Sequence, residues 1–136
     1  MKRAHRVLKI GRWVVDFLFQ PGGYDIDGVL GVLYDAGATK EVMSQTEDLM
    51  RSCEENCGFT FANRYLRRAV VLIGPTSSGA EFLDTFTHEI RHLADAIAKS
   101  IGYDLDAEGP AYMTGDTVRE LAEIVCKLGC DKCRKD

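Results

Sequence analysis

No stretch of the 136-residue chain is apolar for long enough to cross a membrane. The basic start does not read as a secretory signal, because Lys9, Arg12 and Asp16 interrupt the apolar core such a signal needs. No charge dominates: the formal net charge is −4, which gives no general pull towards nucleic acid or anionic membrane. Internal repeats, low-complexity tracts and linkers are missing too. These absences lead us to expect a cytoplasmic protein with neither a membrane nor a nucleic-acid partner. Its five cysteines should then be reduced thiols. Basic clusters at Lys2–Arg12, at Arg64, Arg67 and Arg68, and at the end read as solvated surface. The oligomeric state leaves no mark.

What is present is an ordinary globular balance, 46% apolar and 28% charged. The length suits a single domain over 1–136 with a modest core. Val7 to Gln20, rich in Val, Phe, Leu and Trp, reads as one or two strands with a break at Gly11. After the turn Gln20-Pro21-Gly22-Gly23, Asp25 or Asp27 can cap a short helix carrying Ile26, Val29, Leu30 and Leu33. Thr39 can cap a second helix, which ends at Asn56-Cys57-Gly58. Short strands follow at Phe59–Ala62 and Arg68–Ile73, then a loop over Gly74–Gly79. A long helix is expected from Ala80 to Ile101, a loop at Tyr103–Asp106, and a last helix from Pro110 to Leu128. This order is an α+β pattern, a small sheet packed on helices.

The chemistry sits in the long helix. His88-Glu89-Ile90-Arg91-His92 matches H-E-x-x-H, a pattern that composition alone yields in roughly one chain in a few hundred of this length. Positions i and i+4 share a helix face, so both imidazoles can reach one ion. Glu89 is rotated by about a quarter turn, so it can reach a metal-bound water without being a ligand. Phe82, Phe86, Ile90, Leu93, Ile97 and Ile101 make an apolar stripe, and the two histidines lie well off its centre. A polar face that happens to hold two histidines would read the same way.

A catalytic zinc needs a third protein ligand and an open position. No histidine follows His92, which leaves Asp95, Asp104, Asp106, Glu108, Asp116, Glu120 and Glu123. Glu108 is the best placed. Its spacing lets the first helix finish, turn at Gly102 and bring a second helix back across the histidine face, with Ala111 allowing close approach. Pro110 suits the first turn. The weaker alternative is that Glu108 is only a solvated acid at a helix start.

His88-Glu89-x-x-His92 followed by Glu108-x-x-Ala111 resembles the gluzincin branch of zinc metallopeptidases, in particular compact single-domain members such as the small peptidase-like proteins of phages and mobile elements. The resemblance spans about Val70 to Glu123. It implies a zincin-like fold and cleavage of a peptide or protein substrate, with Zn2+ on His88, His92 and Glu108 and with Glu89 as general base. Several gluzincins carry an acid four residues after the ligand glutamate; here that place holds Tyr112, and Asp95, Asp84 or Asp116 are left to support a ligand histidine. Tyr112 is the candidate electrophile for the oxyanion, with Tyr103, Arg91 and His5 behind it. The strand Arg68–Ile73 reads either as a cleft edge that pairs with substrate or as a buried central strand. A non-catalytic metal-binding scaffold or regulatory protein of phage or mobile-element origin is the alternative function. Cys126, Cys130 and Cys133, with the i, i+4 pair Cys53 and Cys57, raise a second metal site, although buried or reduced thiols explain them as well.

Overall fold

Strand, helix and turn signals fall into place in a computed structural model that describes residues 1–102 and 108–135. The expected loop Tyr103–Asp106, with Tyr103 and the acids Asp104 and Asp106, lies outside the described residues. The chain runs β1 (Ala4–Ile10), β2 (Trp13–Phe19), α1 (Ile26–Asp35), α2 (Lys40–Ser52), β3 (Gly58–Asn63), β4 (Arg68–Ile73), α3 (Gly79–Ser100), α4 (Glu108–Glu120) and α5 (Ala122–Leu128). A 3-10 turn, Cys133–Lys135, follows.

The four strands form one mixed sheet in the order β1-β2-β4-β3. β1 is antiparallel to β2, β2 is parallel to β4 from Val14↔Arg68 to Phe19↔Ile73, and β3 is antiparallel to β4. The two central strands are covered on both faces, which is why they read as near-continuous apolar runs. Val15, Phe17, Ala69, Val71 and Ile73 meet Phe82, Phe86, Ile90 and Leu93 of α3. Leu18, Val70 and Leu72 face Val29 and Leu33 of α1 and Met50 of α2. The strand Arg68–Ile73 is thus the buried central one, and the edge beside α3 is β3.

Local signals hold where they are local. The Asp25 carboxylate accepts from Gly28 N–H at 3.1 Å and the Thr39 hydroxyl accepts from Val42 N–H at 3.2 Å, capping α1 and α2. The last helix does not hold as one piece. Leu121 breaks it, with φ −100° and ψ 11°, and is buried in the core. The bend lets Met113 and Thr117 of α4 and Val125 and Leu128 of α5 reach one apolar layer.

The expectation of five reduced thiols is corrected. Cys53 and Cys57 form a disulfide. Cys53 leaves α2 in extended backbone, and Asn56 takes a left-handed φ of 65°, so the chain doubles back and brings the two sulfurs together. No helix among the described residues is long and apolar enough to cross a membrane.

Candidate functional site

α3 starts where two side chains accept backbone N–H groups. The Ser78 hydroxyl accepts from Glu81 N–H at 3.1 Å, and the Asp131 carboxylate accepts from Gly79 N–H at 2.6 Å. Its apolar stripe from Phe82 to Ile97 is buried on the sheet. Ile101, expected to continue that stripe, is 52% exposed, because the helix has already passed the sheet and stops before Gly102 at φ 77°.

His88 and His92 are exposed and stand on the side away from the sheet, as the periodicity implies. Their rings meet edge to face with centroids 4.6 Å apart, and their Nε2 atoms are 3.1 Å apart. A tetrahedral ion with metal–nitrogen bonds of about 2.0–2.1 Å needs its two nitrogens about 3.3–3.4 Å apart. The pair therefore fits half of a zinc site with a shift of a few tenths of an ångström. A single hydrogen bond between two neutral imidazoles fits the same separation.

Glu89 does something different. It is buried, and its Oε1 accepts the Thr60 hydroxyl proton at 2.7 Å from β3, 29 residues earlier in the chain. The Glu89 carbonyl lies 3.2 Å from the same hydroxyl. Gly58 closes the other side: a Cβ there would lie 2.7 Å from Glu89 Cγ and 3.1 Å from its Oε2. The motif glutamate is thus held beneath the edge strand by a hydroxyl and a missing side chain. Nothing in the sequence marks Thr60, and Gly58 reads there as the end of the second helix; α2 instead stops at Ser52 and Gly58 opens β3.

Gly58→Ala should displace this carboxylate and cost about 1–3 kcal/mol as an overpacked site. The same substitution in a Glu89→Ala background should cost clearly less, because the Glu89 atoms are gone and only the Leu72 carbonyl oxygen, 3.1 Å from that Cβ, remains close. Unfolding midpoints of the four proteins in urea measure the coupling. Additive costs would show that the glycine serves something other than Glu89.

Glu108, the expected third ligand, is not gathered with the pair among the described residues. Glu108 is the exposed first residue of α4. Met113, Thr114 and Thr117 set α4 against Ile90, Leu93, Ala94 and Ile97, so the helix returns along the apolar side of α3 and not across the histidine face. Ala111, expected at the helix crossing, is exposed instead. The stripe Met113, Thr117 and Leu121 decides this, since burying it fixes the rotation of α4. Among the described residues, no group of three or more His, Cys, Asp or Glu side chains is arranged to hold a metal ion, the cysteines included.

The remaining candidates lie apart. Tyr112 is 69% exposed and lines a groove of about 1110 Å³ with Lys9, Arg12, Tyr65 and Ile101, whose walls include none of His88, Glu89 and His92. His5 contacts the Asp16 carboxylate at 2.8 Å, and Arg68 holds the other carboxylate oxygen at 3.0 Å. Both lie across the sheet from α3, since Asp16 alternates with Val15 and Phe17. Arg91 shares its Nε–H between the two Asp95 oxygens at 2.9 and 3.0 Å, and Asp116 pairs with Arg119 at 3.1 Å. Asp84 is exposed on α3.

Compared with family models, curated proteins and solved structures, the chain has no significant match in any of the three.

Proposed function

We propose that the protein is a zinc-dependent peptide hydrolase of gluzincin type, with a zincin-like arrangement of edge strand and motif helix. The observation that carries this reading is the exposed pair of Nε2 atoms 3.1 Å apart, one residue from a carboxylate held beneath an edge strand. Zinc bound there supplies a Lewis acid that lowers the pKa of a bound water. His88 and His92 would hold the zinc through their Nε2 atoms, and the third ligand that the resemblance implies, Glu108, opens a helix packed on the other side of α3. Glu89 would serve as the general base, taking up a proton on its carboxylate and returning it to the leaving amine. Thr60 orients that carboxylate. β3 lies at an edge of the sheet, and an edge strand can offer N–H and C=O groups to an extended peptide. The oxyanion donor that the resemblance implies is Tyr112, which lines the groove apart from the pair. The proposed setting is the cytoplasm, where the Cys53–Cys57 disulfide is under reducing pressure.

A specific observation favours a second reading. Glu108 does not join the two histidines in a three-donor group, and a non-catalytic protein of phage or mobile-element type that uses the pair as a weak metal clip needs no complete set.

Metal content tests the pair directly. Protein purified without a metal column should carry about one zinc per chain. His88→Ala/His92→Ala should carry none. Zinc at a hundred times its dissociation constant should stabilise the wild type by about 2.7 kcal/mol and leave the double variant's unfolding midpoint unmoved. Stoichiometric zinc in the double variant would place the ion elsewhere.

A further inference from the structure

We infer that Cys130 and Cys133 form a redox-active dithiol, with Cys130 as the attacking thiol and Cys133 as the resolving one, that exchanges with small disulfides of the glutathione type. The two residues flank the turn Asp131-Lys132 as C-x-x-C, just beyond α5. Ends of such a turn lie within about 7 Å at Cα, a span a disulfide can bridge. Cys133 is exposed, Cys130 half-buried, and their side chains are hydrogen-bonded.

That bond is the main cause that holds the Cys130 thiol below the ordinary thiol range. Backbone N–H groups of Cys133 and Lys132 act the same way, and partial burial and the Asp131 charge oppose them. A lowered thiol is more fully thiolate near neutrality, and the thiolate is the nucleophile.

The turn is held from both sides, so the two sulfurs are kept in one arrangement. Asp131 accepts from Gly79 N–H at 2.6 Å, and the buried Arg134 donates to Thr76 Oγ1, Ser78 O and Leu128 O at 2.9, 2.6 and 3.1 Å. The opposite side of the same Gly74–Gly79 loop receives the Cys53–Cys57 hairpin, through Asn56 N–H on Pro75 O at 2.7 Å. The chain thus carries one closed pair and one open pair around a single loop.

The exchange balances without any further reactant. The Cys130 thiolate attacks one sulfur of the small disulfide, forms a mixed disulfide and releases one thiolate. Cys133 gives its proton to solvent, attacks the Cys130 sulfur and releases the second thiolate. The dithiol loses two electrons and two protons, and the small disulfide becomes two thiols.

The test uses the full chain and oxidised glutathione. Denatured without reductant, the untreated protein should titrate three thiols, those of Cys126, Cys130 and Cys133. After treatment it should titrate one, three minus the two of the new bond, and peptide mapping should place that bond between Cys130 and Cys133. Cys133→Ser should stop at a glutathione adduct on Cys130, formed at pH 7 about tenfold faster than the adduct on the exposed Cys126. A Cys126–Cys130 bond, equal adduct formation at Cys126 and Cys130, or three surviving thiols would each overturn the inference. Circular dichroism of Cys133→Ser separates a lost resolving thiol from a lost fold.

Discussion

Glu89→Gln should keep the zinc content and the fold of the wild type and lose nearly all peptide cleavage, by about a hundred- to ten-thousand-fold. The geometry makes this substitution cleaner than most. Glutamine keeps an oxygen where Oε1 accepts the Thr60 hydroxyl at 2.7 Å, so the contact under the edge strand survives. What disappears is the basic lone pair that takes the proton. Glu89→Ala is a poorer probe, because it also strips Thr60 of its partner and leaves a buried hole beside Gly58. Thr60→Val supplies the complementary control: it leaves the base in place without its orienting donor, and should lower turnover by less than the loss of the base. Zinc-loaded wild type and Glu89→Gln are compared on a diverse peptide pool read by mass spectrometry. Cleavage unchanged in Glu89→Gln would remove Glu89 from the mechanism, and no cleavage by the wild type would favour the scaffold reading.

The motif helix was legible because its signals are local. The apolar stripe repeats every three or four residues, and the histidine pair follows from i, i+4 geometry. The α+β class and the two capped helices follow on the same scale. The surroundings of the motif were not legible, because they are set by distant residues. Thr60 reaches Glu89 from another element, and only the strand order makes β3, not β4, the edge beside it. The expected helix crossing rested on the spacing of Glu108 and Ala111. Burial of Met113, Thr117 and Leu121 fixes the rotation of α4 instead, and periodicity had been read there for one long helix. The cysteines show the same limit: compartment reasoning expected thiols, while a single left-handed Asn56 brings Cys53 and Cys57 together.

Arg134 is the extreme case, a terminal cation in a basic tail that reads as solvent-facing and is 8% exposed. Its guanidinium donates to Thr76 Oγ1, Ser78 O, Leu128 O and, by a second nitrogen, Thr76 O. These partners are 6 to 58 residues away, so no window of sequence reveals them. Three of the four are carbonyls, which a fixed planar fork of donors can serve together and a hydrocarbon cannot. Leu128 O also belongs to the last turn of α5, where a cation is favoured by the helix dipole. Arg134→Met preserves much of the volume but leaves these acceptors unpaired at about 1–3 kcal/mol each, less whatever water restores. We expect a loss of about 3–5 kcal/mol, which in a domain of this size lowers the thermal midpoint by about 10–20 °C. Arg134→Lys should fall between the two, since it keeps the charge but cannot span Thr76, Ser78 and Leu128 at once. Thermal and urea unfolding of the three proteins measure this. An Arg134→Met midpoint within about 3 °C of wild type would mean that water replaces the fork, and that the remaining bonds, Asp131 on Gly79 among them, suffice to hold the turn.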